Sequence, residues 1–99
     1  MSIEQVEERM SEMLDDLESL NATVKFVCKN DGVIFLDATE TPAVLSHEDD
    51  MADCTIKITT QNLEKLLAGK LDPMLAYTMG KLKVKGSMGI AMKLTGLLH

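Results

Sequence analysis

Lys81-Leu82-Lys83-Val84-Lys85-Gly86-Ser87-Met88-Gly89-Ile90-Ala91-Met92-Lys93-Leu94 changes its hydrophobic period halfway along, and that change decides the fold class. Up to Lys85 the pattern alternates. Leu82 and Val84 lie on one side and three lysines on the other, as in a half-buried strand. Lysines on such a strand also guard a sheet edge against pairing with other chains. Past Gly86 the period lengthens. Ser87 is placed to cap a helix over residues 88–98, and Met88, Ile90, Ala91, Met92, Leu94, Leu97 and Leu98 cover most of its circumference. A helix apolar nearly all round calls for burial on more than one side. A 99-residue chain forms one small domain with little interior to offer. The helix packs across an open cavity, docks on a partner, a membrane or a second copy, or leaves one side frayed and exposed.

Upstream, Asp72-Pro73 opens another helix, with Asp as cap and Pro in the first turn. Met74, Leu75, Ala76, Tyr77 and Met79 fill it and Gly80 closes it. Thr59 or Thr60 caps a helix carrying Leu63, Leu66 and Leu67, ended by Gly69. Residues 53–59 alternate, with Cys54, Ile56 and Ile58 inward. Residues 39–50 read as a loop holding a short strand. Before it, Thr23 to Lys29 and Val33 to Leu36 form a hairpin. With Asp31-Gly32 as a two-residue turn, Cys28 faces Phe35 and Val27 faces Leu36, so neither sheet face is wholly polar. The N-terminal segment predicts one helix from a Ser2/Gln5 capping box to Asn21, with Ile3, Val6, Met10, Met13, Leu14 and Leu17 as its stripe.

Composition narrows the function. Apolar residues make up 45% and charged residues 26%, as in an ordinary globular chain. No apolar run reaches the roughly 18–20 residues of a membrane helix, and an acidic N-terminus is unlike a signal peptide, so the cytoplasm is expected. A net charge of −6 argues against nucleic acid as partner. The charge is polarised, however. Glu4, Glu7, Glu8, Glu12, Asp15, Asp16 and Glu18 crowd the first segment, while Lys65, Lys70, Lys81, Lys83, Lys85 and Lys93 dominate beyond Gln61. Two solvated faces of opposite sign is the plain reading. The functional one is a basic rim that meets anionic head groups. Aromatics are 3%, without Trp, and Met numbers 8, which suits a soft, adaptable interior.

Catalytic and metal-binding patterns are missing from the sequence. It has no nucleophile elbow, His-Glu-x-x-His, phosphate-binding loop or dinucleotide fingerprint. Gly86-Ser87-Met88-Gly89 has the form of an RNA-clamping loop, but the acidic chain and the missing basic helix speak against it. Asp49, Asp50 and Asp53 lack the spacing for calcium. Cys28 and Cys54 have no Cys-x-x-Cys partner and lie in apolar alternating runs, where a reduced thiol acts as a small hydrophobe. Tyr77 is either a core or rim residue or a polar handle in a pocket. No cofactor, metal or catalytic residue is assigned.

Four blocks carry a resemblance: Ala52-Asp53-Cys54-Thr55-Ile56, Leu66-Leu67-Ala68-Gly69-Lys70-Leu71-Asp72-Pro73, Gly80-Lys81-Leu82-Lys83-Val84-Lys85-Gly86, and Met88-Gly89-Ile90-Ala91-Met92-Lys93-Leu94. In order and spacing they resemble the sterol carrier protein-2 family. The first half of the chain matches only in its pattern of helix and hairpin. The resemblance implies an α/β (α+β) fold, with a mostly antiparallel five-stranded sheet covered on one face by helices and enclosing an apolar tunnel. It implies a non-enzymatic domain over residues 1–99 that binds, and transfers, a fatty acid, acyl-CoA, sterol or isoprenoid-like lipid. The alternative is an accessory or scaffold module that presents a lipid or quinone intermediate to enzymes. The chain departs from the family in lacking a peroxisomal tripeptide, in its short segment after the last helix and in its tight hairpin. The first departure suggests a bacterial cytoplasm.

On this reading the lipid lies between sheet residues Phe26, Phe35, Ile56 and Val84 and helix residues Leu67, Leu75, Met79, Met88 and Met92. A transient contact with an anionic membrane surface is expected, and nucleic acid is not. The sequence sets no oligomeric state. The last helix, with Gly89 and Gly96 weakening it and Gly86 as hinge, reads either as a movable cover or as a fixed packing helix beside a basic strand.

Overall fold

The computed structural model describes residues 2–98. His99 of the sequence reading lies outside them. In chain order the elements are α1 (Ile3–Ser11), α2 (Leu14–Leu17), a 3-10 turn (Glu18–Leu20), β1 (Thr23–Cys28), β2 (Gly32–Asp37), β3 (Val44–Ser46), β4 (Cys54–Ile58), α3 (Thr60–Leu67), α4 (Pro73–Thr78), β5 (Leu82–Gly86) and α5 (Met88–Leu97). The strands form one five-stranded sheet in the order β3-β2-β1-β4-β5. Val24, Phe26, Cys28, Ile34, Leu36, Cys54, Ile56, Ile58 and Leu82 project from one face into the core. There they meet Ile3, Val6, Met10, Leu17 and Leu20 from the N-terminal helices, Leu63 and Leu66 from α3, Ala76 from α4, and Ala91, Leu94 and Leu98 from the C-terminal segment.

The sheet is mixed rather than mostly antiparallel. β1 pairs antiparallel with β2 but parallel with β4, whose Cys54, Ile56 and Ile58 stand beside Val24, Phe26 and Cys28. The cause is the crossing after β3. Strand β3 is antiparallel to β2 and so runs with β1. Residues 47–53 then carry the chain across the sheet, and β4 starts in the same direction. This strap is fastened at several points. The His47 ring sits 3.1 Å from the Val33 carbonyl through Nδ1 and 2.7 Å from Glu7 Oε2 through Nε2. The Lys25 ammonium meets Asp49 at 2.8 Å. Thr23 and Asp53 exchange two hydrogen bonds, the Asp53 N–H donating to Thr23 Oγ1 and the Thr23 N–H to Asp53 Oδ2.

The hairpin register also differs from the expected one. Cys28 stands opposite Gly32, and Lys25, not Cys28, faces Phe35. The turn is one residue longer than Asp31-Gly32 alone would make it. The Asp31 N–H donates to the Cys28 carbonyl at 2.9 Å, with Asn30 at φ 69° and Gly32 at φ 122°. A slip by an odd number of residues changes the face of every side chain. It brings Ile34 and Leu36 onto the core face beside Phe26 and Val24, and sends Phe35 to the opposite face beneath the strap, where it is nonetheless buried.

The N-terminal segment breaks where one helix was expected. The capping box of Ser2 and Gln5 is present, but the ladder tightens at Glu12 and Met13 and restarts at Leu14. Glu4, Glu8, Glu12 and Asp16 would repeat at i, i+4 along a continuous helix, and each like-charge pair opposes it. In β1 and β4 the thiols of Cys28 and Cys54 are buried and unpaired with each other. Burial pushes both thiols above their ordinary pKa. For Cys28 a hydrogen bond with Thr60 opposes the shift, and the nearby Asp31 charge adds to it. For Cys54 the Asp53 charge adds to it. A thiol with a raised folded-state pKa stabilises the fold fully below its unfolded pKa, and that contribution fades as pH rises beyond it. Both thiols should therefore resist iodoacetamide at pH 8 in the native protein and react together in denaturant. Alkylation of either one without unfolding would contradict this burial.

Candidate functional site

The apolar site lies where α4, β5 and α5 meet. Each element is locally well specified. Asp72 caps α4 by accepting from the Met74 and Leu75 N–H groups at 2.8 and 3.4 Å, with Pro73 in the first turn. Ser87 caps α5 by accepting from the Ile90 N–H at 3.2 Å. Between them β5 is an edge strand whose Leu82 and Val84 stand opposite Ile58 and Ile56. Gly86 ends it at φ 92°, and a Cβ there would lie 2.5 Å from the Asp53 carbonyl oxygen, so only glycine fits.

These three elements border a groove of about 70 Å³. Its floor is Leu82 and Val84. One wall is Pro73, Met74 and Tyr77 of α4, and the other is Met88, Ala91, Met92 and Thr95 of α5. The α5 wall repeats at i, i+3, i+4 and i+7, which is one helix face. Met74, Tyr77, Met88 and Met92 are 45–60% exposed, an unusual concentration of large apolar side chains in water. The Thr95 hydroxyl is occupied, donating to the Met92 carbonyl at 2.8 Å. The Tyr77 hydroxyl is the one other side-chain polar group of the lining. Such a surface can bind an alkyl or ring system by burial, and it holds no nucleophile with an adjacent base.

Of the residues expected to meet a lipid, Val84, Met88 and Met92 line this groove. Phe26 and Ile56 lie beneath, in the core, at 1% and 2% exposure. Leu67 is half-buried against the core. Leu75 of α4 and Met79, just past its end, are exposed but outside the lining. Phe35 does not join them, because the register places it across the sheet. Periodicity gives no phase for α4, because nearly every side chain of that short helix is apolar. The signal for the right phase is Ala76, whose small side chain marks the buried side and places Pro73 and Tyr77 beside it. The expected tunnel is here a shallow open groove.

The sheet's other face is different. Beyond the strap, Val27, Lys29, Lys57, Ile58, Thr59, Gly80, Lys81 and Lys83 border an open concavity of about 410 Å³. It is the larger hollow, but it is wide open and lysine-lined, so burial of an apolar ligand is better served by the groove.

Among proteins of known sequence, rabbit (Oryctolagus cuniculus) sterol carrier protein 2 is 49% identical over 55 residues, covering 56% of this chain. The chain spans only about a tenth of the length of that relative. Among solved structures, the sterol carrier protein domain 2 of Helicoverpa armigera superposes with a TM-score of 0.77 at 28% identity, covering 96% of this chain and 83% of that one. Sterol carrier protein-2 of Aedes aegypti, solved with palmitate, superposes with a TM-score of 0.75 at 21% identity, covering 99% of this chain and 96% of that one. The family model described as the SCP-2 sterol transfer family matches residues 3–99, and the chain belongs to that family.

Proposed function

We propose that this chain is a non-enzymatic lipid-binding domain. It holds the apolar part of a fatty acid, sterol or isoprenoid-like molecule between β5 and the helices α4 and α5, and carries it between sites. The observation behind this reading is the groove of Leu82, Val84, Met88, Ala91 and Met92, bordered by exposed Met74 and Tyr77. Membership of a sterol transfer family and a structural relative solved with palmitate support it. Affinity would come from burial, at roughly 0.8 kcal/mol per methylene. No helix among the described residues is long and apolar enough to cross a membrane. We place the chain in the cytoplasm, with transient contact at an anionic membrane surface as the means of loading and unloading. The alternative reading is an accessory module that presents a lipid or quinone intermediate to enzymes. A stable enzyme partner recovered without copurifying lipid would favour it.

Displacement of a fluorescent fatty acid by unlabelled acids of increasing chain length tests the proposal. The expected result is saturable displacement that tightens with length, and no displacement at any length overturns it. In the same assay Phe35→Leu should stay within about twofold of the wild type, since Phe35 lies across the sheet from the groove and only its own packing changes. A large loss of affinity in Phe35→Leu, with stability kept, would move the ligand to the other face.

A further inference from the structure

The two edges of the sheet are guarded differently. β3 is three residues long and starts two residues after Pro42, which leaves little for another strand to pair with. β5 is five residues long and has no proline. Its guards are lysines, Lys83 and Lys85 within it and Lys81 just before it. The phase of the β4–β5 ladder fixes which groups this edge offers. The Ser87 N–H donates to the Asp53 carbonyl at 2.9 Å, continuing the register that sets Lys85 opposite Thr55 and Lys83 opposite Lys57. Hydrogen-bonded and open pairs alternate along an antiparallel ladder. Lys83 and Lys85 therefore turn their peptide groups to β4. Leu82, Val84 and Gly86 turn theirs away from the sheet, and among the described residues no other peptide group meets them. Val84 is half-buried and Gly86 exposed, which leaves the far end of this row open.

Each flank of the edge has one chemistry. On the outer flank Lys81, Lys83 and Lys85 are exposed, and Lys57 stands across the ladder from Lys83. Like charges at opposed positions repel. Among the described residues none of these four lysines pairs with a carboxylate, whereas Lys25 on the same face pairs with Asp49. On the inner flank Leu82 and Val84 continue into the groove, with the exposed Met88 and Met92 beside them. A second copy's β5 would set lysine against lysine, so pairing between copies is opposed. The strand that fits alternates acidic and apolar residues. Its carboxylates would lie beside Lys83 and Lys85, and its apolar side chains beside Leu82 and Val84. Antiparallel addition gives the more stable pairing. In that register the apolar residues, facing Leu82 and Val84, are the ones that exchange peptide hydrogen bonds with β5.

We propose that β5 is a docking edge for a partner protein, which adds an extended segment of alternating acidic and apolar residues antiparallel to it. The lysines that keep copies of this chain apart then select that partner. Docking at this edge does not depend on the groove holding a lipid.

Fluorescence anisotropy with the full chain at low salt tests it. The probe is a labelled peptide, Val-Glu-Val-Glu-Val-Glu-Val. It should bind saturably below about 1 mM. Amide exchange at Val84 and Gly86 should slow in the complex, while Lys83 and Lys85, already bonded to β4, stay as they are. N-methylation of the two middle valines removes donors that face β5 and should weaken binding at least about tenfold. N-methylation of the glutamates, whose N–H groups face outward, should change it less than about threefold. The same residues with the glutamates grouped together should bind at least about tenfold more weakly. A Lys83→Gln/Lys85→Gln variant should bind the probe about fivefold more weakly. A Lys65→Gln/Lys70→Gln variant, altered at α3 instead, should stay within about twofold. Equal losses from the two methylations, a loss confined to the glutamate-methylated peptide, or equal binding of the grouped peptide overturns docking at this edge. So does failure of the probe to bind at about 1 mM.

Discussion

Val84→Asp should lower fatty-acid affinity about a hundredfold while the protein still folds. Val84 is half-buried on the groove floor, opposite Ile56 and between the α4 and α5 walls. A carboxylate there keeps its water and denies the ligand three or four methylene contacts. At roughly 0.8 kcal/mol each, that loss is about 3 kcal/mol. The fold should lose about 2 kcal/mol, within the ordinary range for one substitution in a partly exposed position. Val84→Thr keeps the shape, replaces one methyl with a neutral hydroxyl and should cost far less of both. Affinity comes from the displacement assay and stability from urea unfolding. If Val84→Asp binds palmitate-length acids as the wild type does, the ligand does not lie on this floor.

Val84 was readable because its strand alternates without interruption and its inward partners are fixed by period alone. The same holds for the caps at Ser87, Asp72 and Thr59, where one side chain and its neighbours decide the geometry. What escaped the reading depends on contacts distant in sequence or on a single extra residue. Alternation in residues 53–59 shows a strand, but not that it lies parallel to β1. That follows from the path of residues 47–53, whose fastening to Thr23, Lys25 and Val33 no local pattern announces. Phe35 was assigned to the lipid side because Asp31-Gly32 suits a two-residue turn. One more residue in the turn, with Asn30 at positive φ, reverses the face of the whole strand. The lysines of β5 were legible as an edge, yet their partnership with Lys57 and Lys29 needed the sheet order.

The apolar character of α5 was legible too, and it suggested a cover hinged at Gly86, but the contacts of α5 argue otherwise. Gly86 is held against the Asp53 carbonyl, which also accepts from the Ser87 N–H at 2.9 Å. Ala91, Leu94 and Leu98 are buried, and the Lys93 ammonium donates to the Ser19 carbonyl at 2.6 Å. Both ends of α5 are therefore tied to the body. A groove of about 70 Å³ is nevertheless far below the roughly 300 Å³ of the smallest ordinary ligand pockets. One wall has to move, and α4 is the better candidate. It has six residues, too few to be stable alone. Leu75, Tyr77 and Met79 are exposed, and its two buried residues are Pro73 and Ala76. Gly69 and Gly80 flank it at φ 73° and 77° with open space around them, so the linking segments can swing without a clash. Amide exchange should show residues 74–80 unprotected in the empty protein and slowed about a hundredfold by palmitate. Residues 91–98 should stay protected in both states. Fast exchange along α5 that palmitate suppresses, with α4 unchanged, would return the moving wall to the C-terminal helix.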